Sequence, residues 1–255
     1  MSNELIINST QTGSRIALLK DKKLTEFHHD NDENKFKVGD IYLGTVKKIV
    51  PGLNAAFIDI GYEKDAFLHY LDLGPQLRSL NKYTKKALSN KHTSGSLANF
   101  KNEPDINKLG KMNQVLTKGQ QILVQIVKEP ISTKGPRLTC ELSIAGRYMV
   151  LVPFSNTINI SKKITDGEER KRLLRLISSI KPENFGCIIR TVAKGKNVTE
   201  LDKDLRNLEE SWKEGMKKLH ATKPREKVIG EMSRASSLLR DILNESFDSL
   251  VTDDK

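Results

Sequence analysis

The sequence predicts an α+β protein in which a small β-structure, a barrel or a sandwich, lies between segments of mixed strand and helix. Three observations predict it. Between residues 38 and 73, short apolar alternations are punctuated by glycine. A similar alternation returns near residue 121, and beyond residue 167 the apolar spacing lengthens to that of helices.

Residues 5–7 and 15–19 alternate as strands around a polar turn at 12–14, and a third strand falls near 24–27, so the chain opens as a meander. A solvated acidic stretch, 28–34, follows. Ile41, Leu43 and Thr45 then alternate, as do Ala56, Ile58 and Ile60, between glycine-marked turns. Residues 74–118 lose this pattern and hold nine Lys or Arg against Glu103 and Asp105, reading as a long basic loop, either functional or mobile. Strands resume with Ile122, Val124 and Ile126 and again over 135–144, closing the barrel. Leu173, Leu174, Leu176 and Ile177 predict a helix over 168–180 that Pro182 ends. Residues 186–193 read as a strand, 200–219 and 232–243 as two further amphipathic helices, and 249–255 begin as another strand.

With 37% hydrophobic and 29% charged residues, 255 residues suffice for a real core. Lys and Arg outnumber Asp and Glu by 43 to 32, a formal +11 that draws the chain towards polyanions such as nucleic acid or an acidic membrane surface. No apolar run approaches the ~20 residues that cross a bilayer, and no charged head leads into an apolar stretch at the start. The chain reads as cytoplasmic. A basic membrane-surface protein ranks last because no amphipathic anchor is visible. Cys140 and Cys187 lack CxxC companions or nearby His and read as buried thiols. The carboxylates form no spaced set for a hard divalent cation, and Asp253 and Asp254 read as an exposed charged tail.

The chemistry-bearing words begin at Gly39-Asp40-Ile41-Tyr42-Leu43-Gly44-Thr45-Val46, continue with Phe57-Ile58-Asp59-Ile60-Gly61 and end with Phe67-Leu68-His69. This segment resembles an S1 RNA-binding domain, an OB-type barrel. Phe57 and Phe67 would lie on neighbouring strands, where flat apolar faces accept unstacked bases, each stack contributing about 1–3 kcal/mol. Either ring could also serve as barrel core. The strings "AAFIDIG" after Pro51-Gly52, "VKEPISTKGPRLTCELSIAGRYMVLVP", "ISKKI" and "GCIIRTVAKG" follow in the order and company of the ribonuclease E/ribonuclease G family, with the "KEPISTKGPRLT" wording nearer its ribonuclease G side.

The resemblance implies an S1/OB-type barrel inserted into an RNase H-like and 5′-sensor α+β region. Its expected divisions are 1–35 (first part of the RNase H-like subdomain), 36–141 (S1 domain with the basic insertion 74–118), 142–231 (5′-sensor region) and 232–255 (start of the second part, truncated). Residues 5–27 are expected to pair with residues beyond 233. Arg190 and Thr191 match the sensor's phosphate-binding pair, where a guanidinium offers parallel donors and a hydroxyl adds another. Gly146 and Val150 match positions under the end nucleotide, while also fitting a turn glycine and a core valine. Lys134 matches an S1-surface lysine that meets backbone phosphate.

The implied partners are single-stranded RNA, preferably 5′-monophosphorylated, and further copies of the chain in a homodimer or higher oligomer. The implied activity is endonucleolytic cleavage with magnesium, in ribosomal RNA processing and messenger RNA decay. The catalytic aspartates are expected beyond residue 255, so that this portion binds RNA without holding a catalytic residue or cofactor. The alternative is a stand-alone, non-catalytic S1 adaptor protein.

Overall fold

A computed structural model of the chain describes residues 2–10, 13–31, 36–89, 93–232, 234–243 and 247–253. In order, its elements are β1 (Asn3–Thr10), β2 (Gly13–Lys20), β3 (Lys23–Asn31), β4 (Ile41–Val50), β5 (Ala55–Asp59), β6 (Ala66–His69), α1 (Leu77–Ser89), β7 (Gln121–Lys128), β8 (Arg137–Thr139), β9 (Ile144–Ala145), β10 (Met149–Pro153), β11 (Ile158–Ile160), α2 (Gly167–Ile180), β12 (Phe185–Ile189), α3 (Val198–Lys218), β13 (Lys227–Ile229), α4 (Arg234–Ile242) and β14 (Ser249–Thr252). The contacts divide the chain into two units, residues 1–35 with 231–255, and residues 36–230.

The first unit is built on a sheet of order β14-β1-β2-β3. Between β2 and β3, Asp21 and Lys22 both take left-handed backbone (φ 48° and 62°), the turn whose twist suits adjacent antiparallel strands. Strand β3 runs on through His28 and His29 to Asn31, so ladder pairing with β2 claims the start of the stretch expected to be solvated. Residues 32–34 of that stretch, and 12 of the expected turn, lie outside the described residues. Strand β14 lies parallel to β1, from Glu4 opposite Ser249 to Ile7 opposite Thr252. Asp253, expected in an exposed charged tail, is exposed and accepts the Ser9 backbone N–H (2.7 Å) and the Asn8 amide (2.5 Å). Asp254 lies outside the described residues. Leu5 and Ile16, on facing strands, are the buried apolar residues of this sheet.

In the second unit β4, β5, β6, β8 and β7 pair in that order, and β7 pairs back onto β4 to close a five-stranded, OB-like barrel. Closure requires a residue without a side chain on β4. A Cβ on Gly44 would lie 2.6 Å from Ile58 Cγ2 and 3.2 Å from Ile60 and Val124, so the glycine lets these three fill the interior. Strand β13 lengthens the barrel at β4, and its Lys227 sends Nζ to within 2.7 Å of the fully buried Asp40 carboxylate.

The basic segment 74–118 differs from the expected loop, because its first third is helix α1. Leu77, Leu80, Tyr83, Thr84 and Ala87 recur at helical spacing and are buried, while the lysines between them face out. Its later part is tied down as well. Gly95 (φ 77°) passes so close to α3 that a Cβ would lie 2.5 Å from Lys213 Cα, and its carbonyl accepts the Trp212 indole N–H at 3.0 Å. Asn184 donates to the carbonyls of Leu97 and Phe100. Tyr83, Phe100, Phe154, Phe185 and Trp212 form a chain of ring contacts with centroids 5.5–6.1 Å apart. Such edge-to-face pairs add about 0.5–1.5 kcal/mol each beyond their burial.

The remaining sheet, ordered β11-β12-β10-β9, carries α2 and α3. Asp166 caps α2 by accepting from the N–H groups of Glu168 and Glu169. Asn197 and Glu200 form a reciprocal capping box at the start of α3. Gln125, buried on β7, donates to the Ser143 carbonyl (2.7 Å) and accepts the Ser143 N–H (2.9 Å), joining the barrel to the strand that enters this sheet. Cys140 and Cys187 are free and buried, and burial raises both thiol pKa values, that of Cys187 to about 11.

Candidate nucleic-acid interface

Two places gather the residues singled out from the sequence. The first is an open cleft of about 800 Å³ on the barrel. Phe57 on β5 and Phe67 on β6 are direct cross-strand partners. Alternation sends Ala56, Ile58, Ala66 and Leu68 into the barrel and leaves both rings half-buried on its outside. The rings stand edge to face, centroids 5.9 Å apart, and the His69 ring lies 6.5 Å beyond Phe67. His69 Nδ1 accepts the Leu71 N–H, which holds the imidazole in place.

Lys134 lines the same cleft from a tight turn in which Ile131 and Lys134 exchange both backbone hydrogen bonds. The sequence reading missed Lys64, Lys128 and Arg137 in the same lining. Arg137 is taken up by Asp72 through paired contacts of 3.0 and 2.9 Å. Lys64, Lys128 and Lys134 make no ion pair among the described residues, so the cleft combines two ring faces with three such cations, and Asp65 and Glu129 share its lining. The carboxylates at its rim are otherwise engaged: Asp65 lies 2.9 Å from Lys47 Nζ, which together with Asp59 holds that ammonium above its ordinary pKa.

The second place is the end of β12. Arg190 follows that strand directly, its backbone N–H donating to the Tyr148 carbonyl (2.8 Å) and its Nη1 to the Gly146 carbonyl (2.8 Å). Val150, half-buried on β10, pairs with Ile188 and Ala145 across the same sheet. The exposed Thr191 shares a 2.9 Å hydroxyl contact with Ser161, whose carbonyl accepts from Arg170. Ser161 and Arg170 were not anticipated. The word "ISKKI" carried Ser161 into view, but no local pattern links Arg170 to it. Nearby, Arg172 grips Glu169 with two hydrogen bonds and holds its carboxyl down at about 2, and Glu169 in turn accepts the Gly195 N–H.

Gly146 lies against protein. A Cβ there would lie 2.6 Å from Asp204 Oδ2 and 2.9 Å from Leu208 Cδ1, so the bare α-carbon lets α3 approach. Asp204 uses that approach to accept the N–H groups of Arg147 (3.1 Å) and Tyr148 (2.8 Å). Among the described residues no three His, Cys, Asp or Glu side chains converge as a metal-binding set. No helix among them is long and apolar enough to cross a membrane.

Comparison with known proteins agrees with this architecture. Residues 143–255 match the Ribonuclease E/G family. The chain is 32% identical to Ribonuclease G of Escherichia coli (strain K12) over 255 residues, all of this chain and 48% of that protein. Ribonuclease G of Haemophilus influenzae is 32% identical over 252 residues, 99% of this chain and 48% of that protein. Ribonuclease E of Nostoc sp. is 33% identical over 218 residues, 85% of this chain and 28% of that protein. The chain therefore carries a ribonuclease E/G family domain, and its whole length aligns with a portion of ribonuclease G. It spans about half the length of the ribonuclease G relatives it matches.

Proposed function

We propose that the chain is the RNA-binding and 5′-end-sensing portion of a ribonuclease G-like endoribonuclease, one that acts on single-stranded RNA in ribosomal RNA processing and messenger RNA decay. The observation that carries this reading is the barrel cleft, where Phe57 and Phe67 stand outside the core beside Lys64, Lys128 and Lys134. Unstacked bases would lie on the rings while the ammonium groups meet the backbone, a combination that suits a single strand and is indifferent to sequence.

The 5′-monophosphate would be held by Arg190 and Thr191, with Gly146 and Val150 beneath the terminal nucleotide. The Nη1 contact to the Gly146 carbonyl orients the guanidinium in advance, so that less side-chain freedom is lost on binding. Cleavage in the whole protein is proposed to use magnesium held by carboxylates outside this sequence, and the whole protein is proposed to act as a homodimer or higher oligomer.

The experiment is to incubate the chain with 5′-monophosphorylated single-stranded RNA and magnesium, following fluorescence anisotropy and product length together. Tight binding without cleavage is expected. Cleavage that survives repurification, or absence of binding at low salt, would overturn the reading.

A further inference from the structure

Helix α1 places four cations on one side. Arg78, Lys82, Lys85 and Lys86 fall within about 100° of arc at ~3.6 residues per turn, and all four are exposed, whereas Leu77, Leu80, Tyr83 and Ala87 turn inward. Lys101, exposed, joins them: Lys82 Nζ donates to its backbone carbonyl at 3.2 Å, and its charge acts on Glu103 together with Lys82 and Arg78. Among the described residues one carboxylate, Glu103, is seen paired with these five. Glu103 is paired with Lys82 at 2.5 Å, and its pKa is lowered first by that contact and further by Lys101 and Arg78. Among the described residues Arg78, Lys85 and Lys86 make no ion pair. The insertion 74–118 holds a surplus of seven positive charges out of the chain's +11.

This face differs from the barrel cleft in one respect that selects its ligand. It offers charge without rings, because Tyr83 is buried and Lys82 lies over the Phe100 ring at 5.5 Å. A surface that meets phosphates but provides no stacking platform suits nucleic acid whose bases are already paired. We propose that the exposed face of α1, with Lys101, binds the phosphodiester backbone of a paired RNA segment, a contact separate from the cleft and the Arg190 region. Helix α1 packs against β7, whose last residue, Lys128, lines the cleft, so the two surfaces belong to the same unit. The proposal rests on the RNA-binding reading above.

The test uses the chain carrying R78Q/K85Q/K86Q, three residues that make no ion pair among the described residues, and separately Lys101→Gln. Binding is measured from about 50 to about 200 mM salt on a 5′-monophosphorylated single strand with and without an adjoining hairpin stem. The triple variant is expected to lose tenfold or more on the stem-bearing RNA and under twofold on the bare strand. Its log–log salt slope on the stem-bearing RNA should fall by about 2–3, at ~0.9 per phosphate contact on a duplex. Lys101→Gln should give a smaller loss of the same kind. Unchanged affinity for the stem-bearing RNA, an equal loss on both RNAs, or, in a parallel titration with phosphatidylserine vesicles, a loss seen on the vesicles alone would overturn it. Phe57→Ala is run alongside. If the unaltered chain binds neither RNA, the RNA-binding reading has failed; if Phe57→Ala weakens binding while the triple variant does not, only the α1 face is wrong.

Discussion

Arg190 donates from Nη1 to the carbonyl of Gly146 at 2.8 Å, tying the end of β12 to the turn that precedes β10. The same glycine has its bare α-carbon against the Asp204 carboxylate of α3. One residue thus orients the guanidinium and admits the helix behind it.

Replacing Arg190 with Ala should weaken binding of 5′-monophosphorylated RNA by roughly tenfold or more, the scale of one lost charge-assisted contact of about 1.5–3 kcal/mol. Binding of 5′-hydroxyl RNA should change little. Parallel titrations of the two RNAs measure this, and equal losses on both would count against a sensor pocket.

Gly146→Ala should be felt in both stability and recognition. The new methyl group would press on Asp204 and Leu208, and relief of such overpacking typically costs about 1–3 kcal/mol. Urea unfolding should show the loss, and the preference for monophosphorylated ends should shrink as the acceptor of Arg190 moves. An unchanged midpoint would mean that α3 yields freely at this contact.

Phe57→Ala and Phe67→Ala should each weaken single-stranded RNA by about 1–3 kcal/mol for each base that loses its stack, whatever the 5′ end carries. Anisotropy on a short oligonucleotide reads the effect, and circular dichroism should show an intact barrel because both rings lie outside its core. Loss of folding in place of loss of binding would make the rings structural.

Trp212→Ala should destabilise the larger unit by about 3–5 kcal/mol, the usual range for an emptied aromatic site. Trp212 is fully buried, touches Tyr83, Phe154 and Phe185, and anchors Gly95. Limited proteolysis should then cut within 93–118 before it cuts the barrel. If that segment stays protected, its attachment does not depend on the tryptophan.

Glu169 gives a pH dependence of definite sign. Its folded pKa, held at about 2 chiefly by the Arg172 hydrogen bonds, lies below its ordinary value of 4.5, so the folded state binds its proton less readily than the unfolded chain. Its contribution is complete above the ordinary value and is lost as pH falls from about 5 towards 2. Thermal melts across that window should drop less steeply for Glu169→Gln than for the unaltered chain, with a lower Tm near neutral pH. Parallel curves for the two proteins would remove Glu169 from the acid response.

The barrel and the helices α2 and α3 were legible because each is repetitive and locally punctuated. Glycine marks the barrel turns, Leu173, Leu174, Leu176 and Ile177 carry the helical period of α2, and Pro182 closes it. Helix α1 was not read, although Leu77, Leu80, Tyr83, Thr84 and Ala87 carry the helical period. The dense lysines, and the Gly74-Pro75 pair before them, made the segment look like solvent-facing loop. In the cleft, Phe57, Phe67 and Lys134 were visible through motif words; Lys128 opens the same word as Lys134 but was not singled out, and Lys64 sits in no pattern and joins the site only through barrel closure.

By itself the sequence determined the periodicities, the concentration of positive charge in 74–118 and the words that mark the barrel and the β12 turn, since each depends on neighbours a few residues apart. Only the tertiary structure decided which cations remain unpaired, that Asp253 is bound to Asn8 and Ser9, and that Gly146 lies between Arg190 and Asp204. The physical reason is range: helix and strand patterns follow from local sterics and burial, while an ion pair or a close backbone approach depends on which distant elements packing brings within a few ångströms.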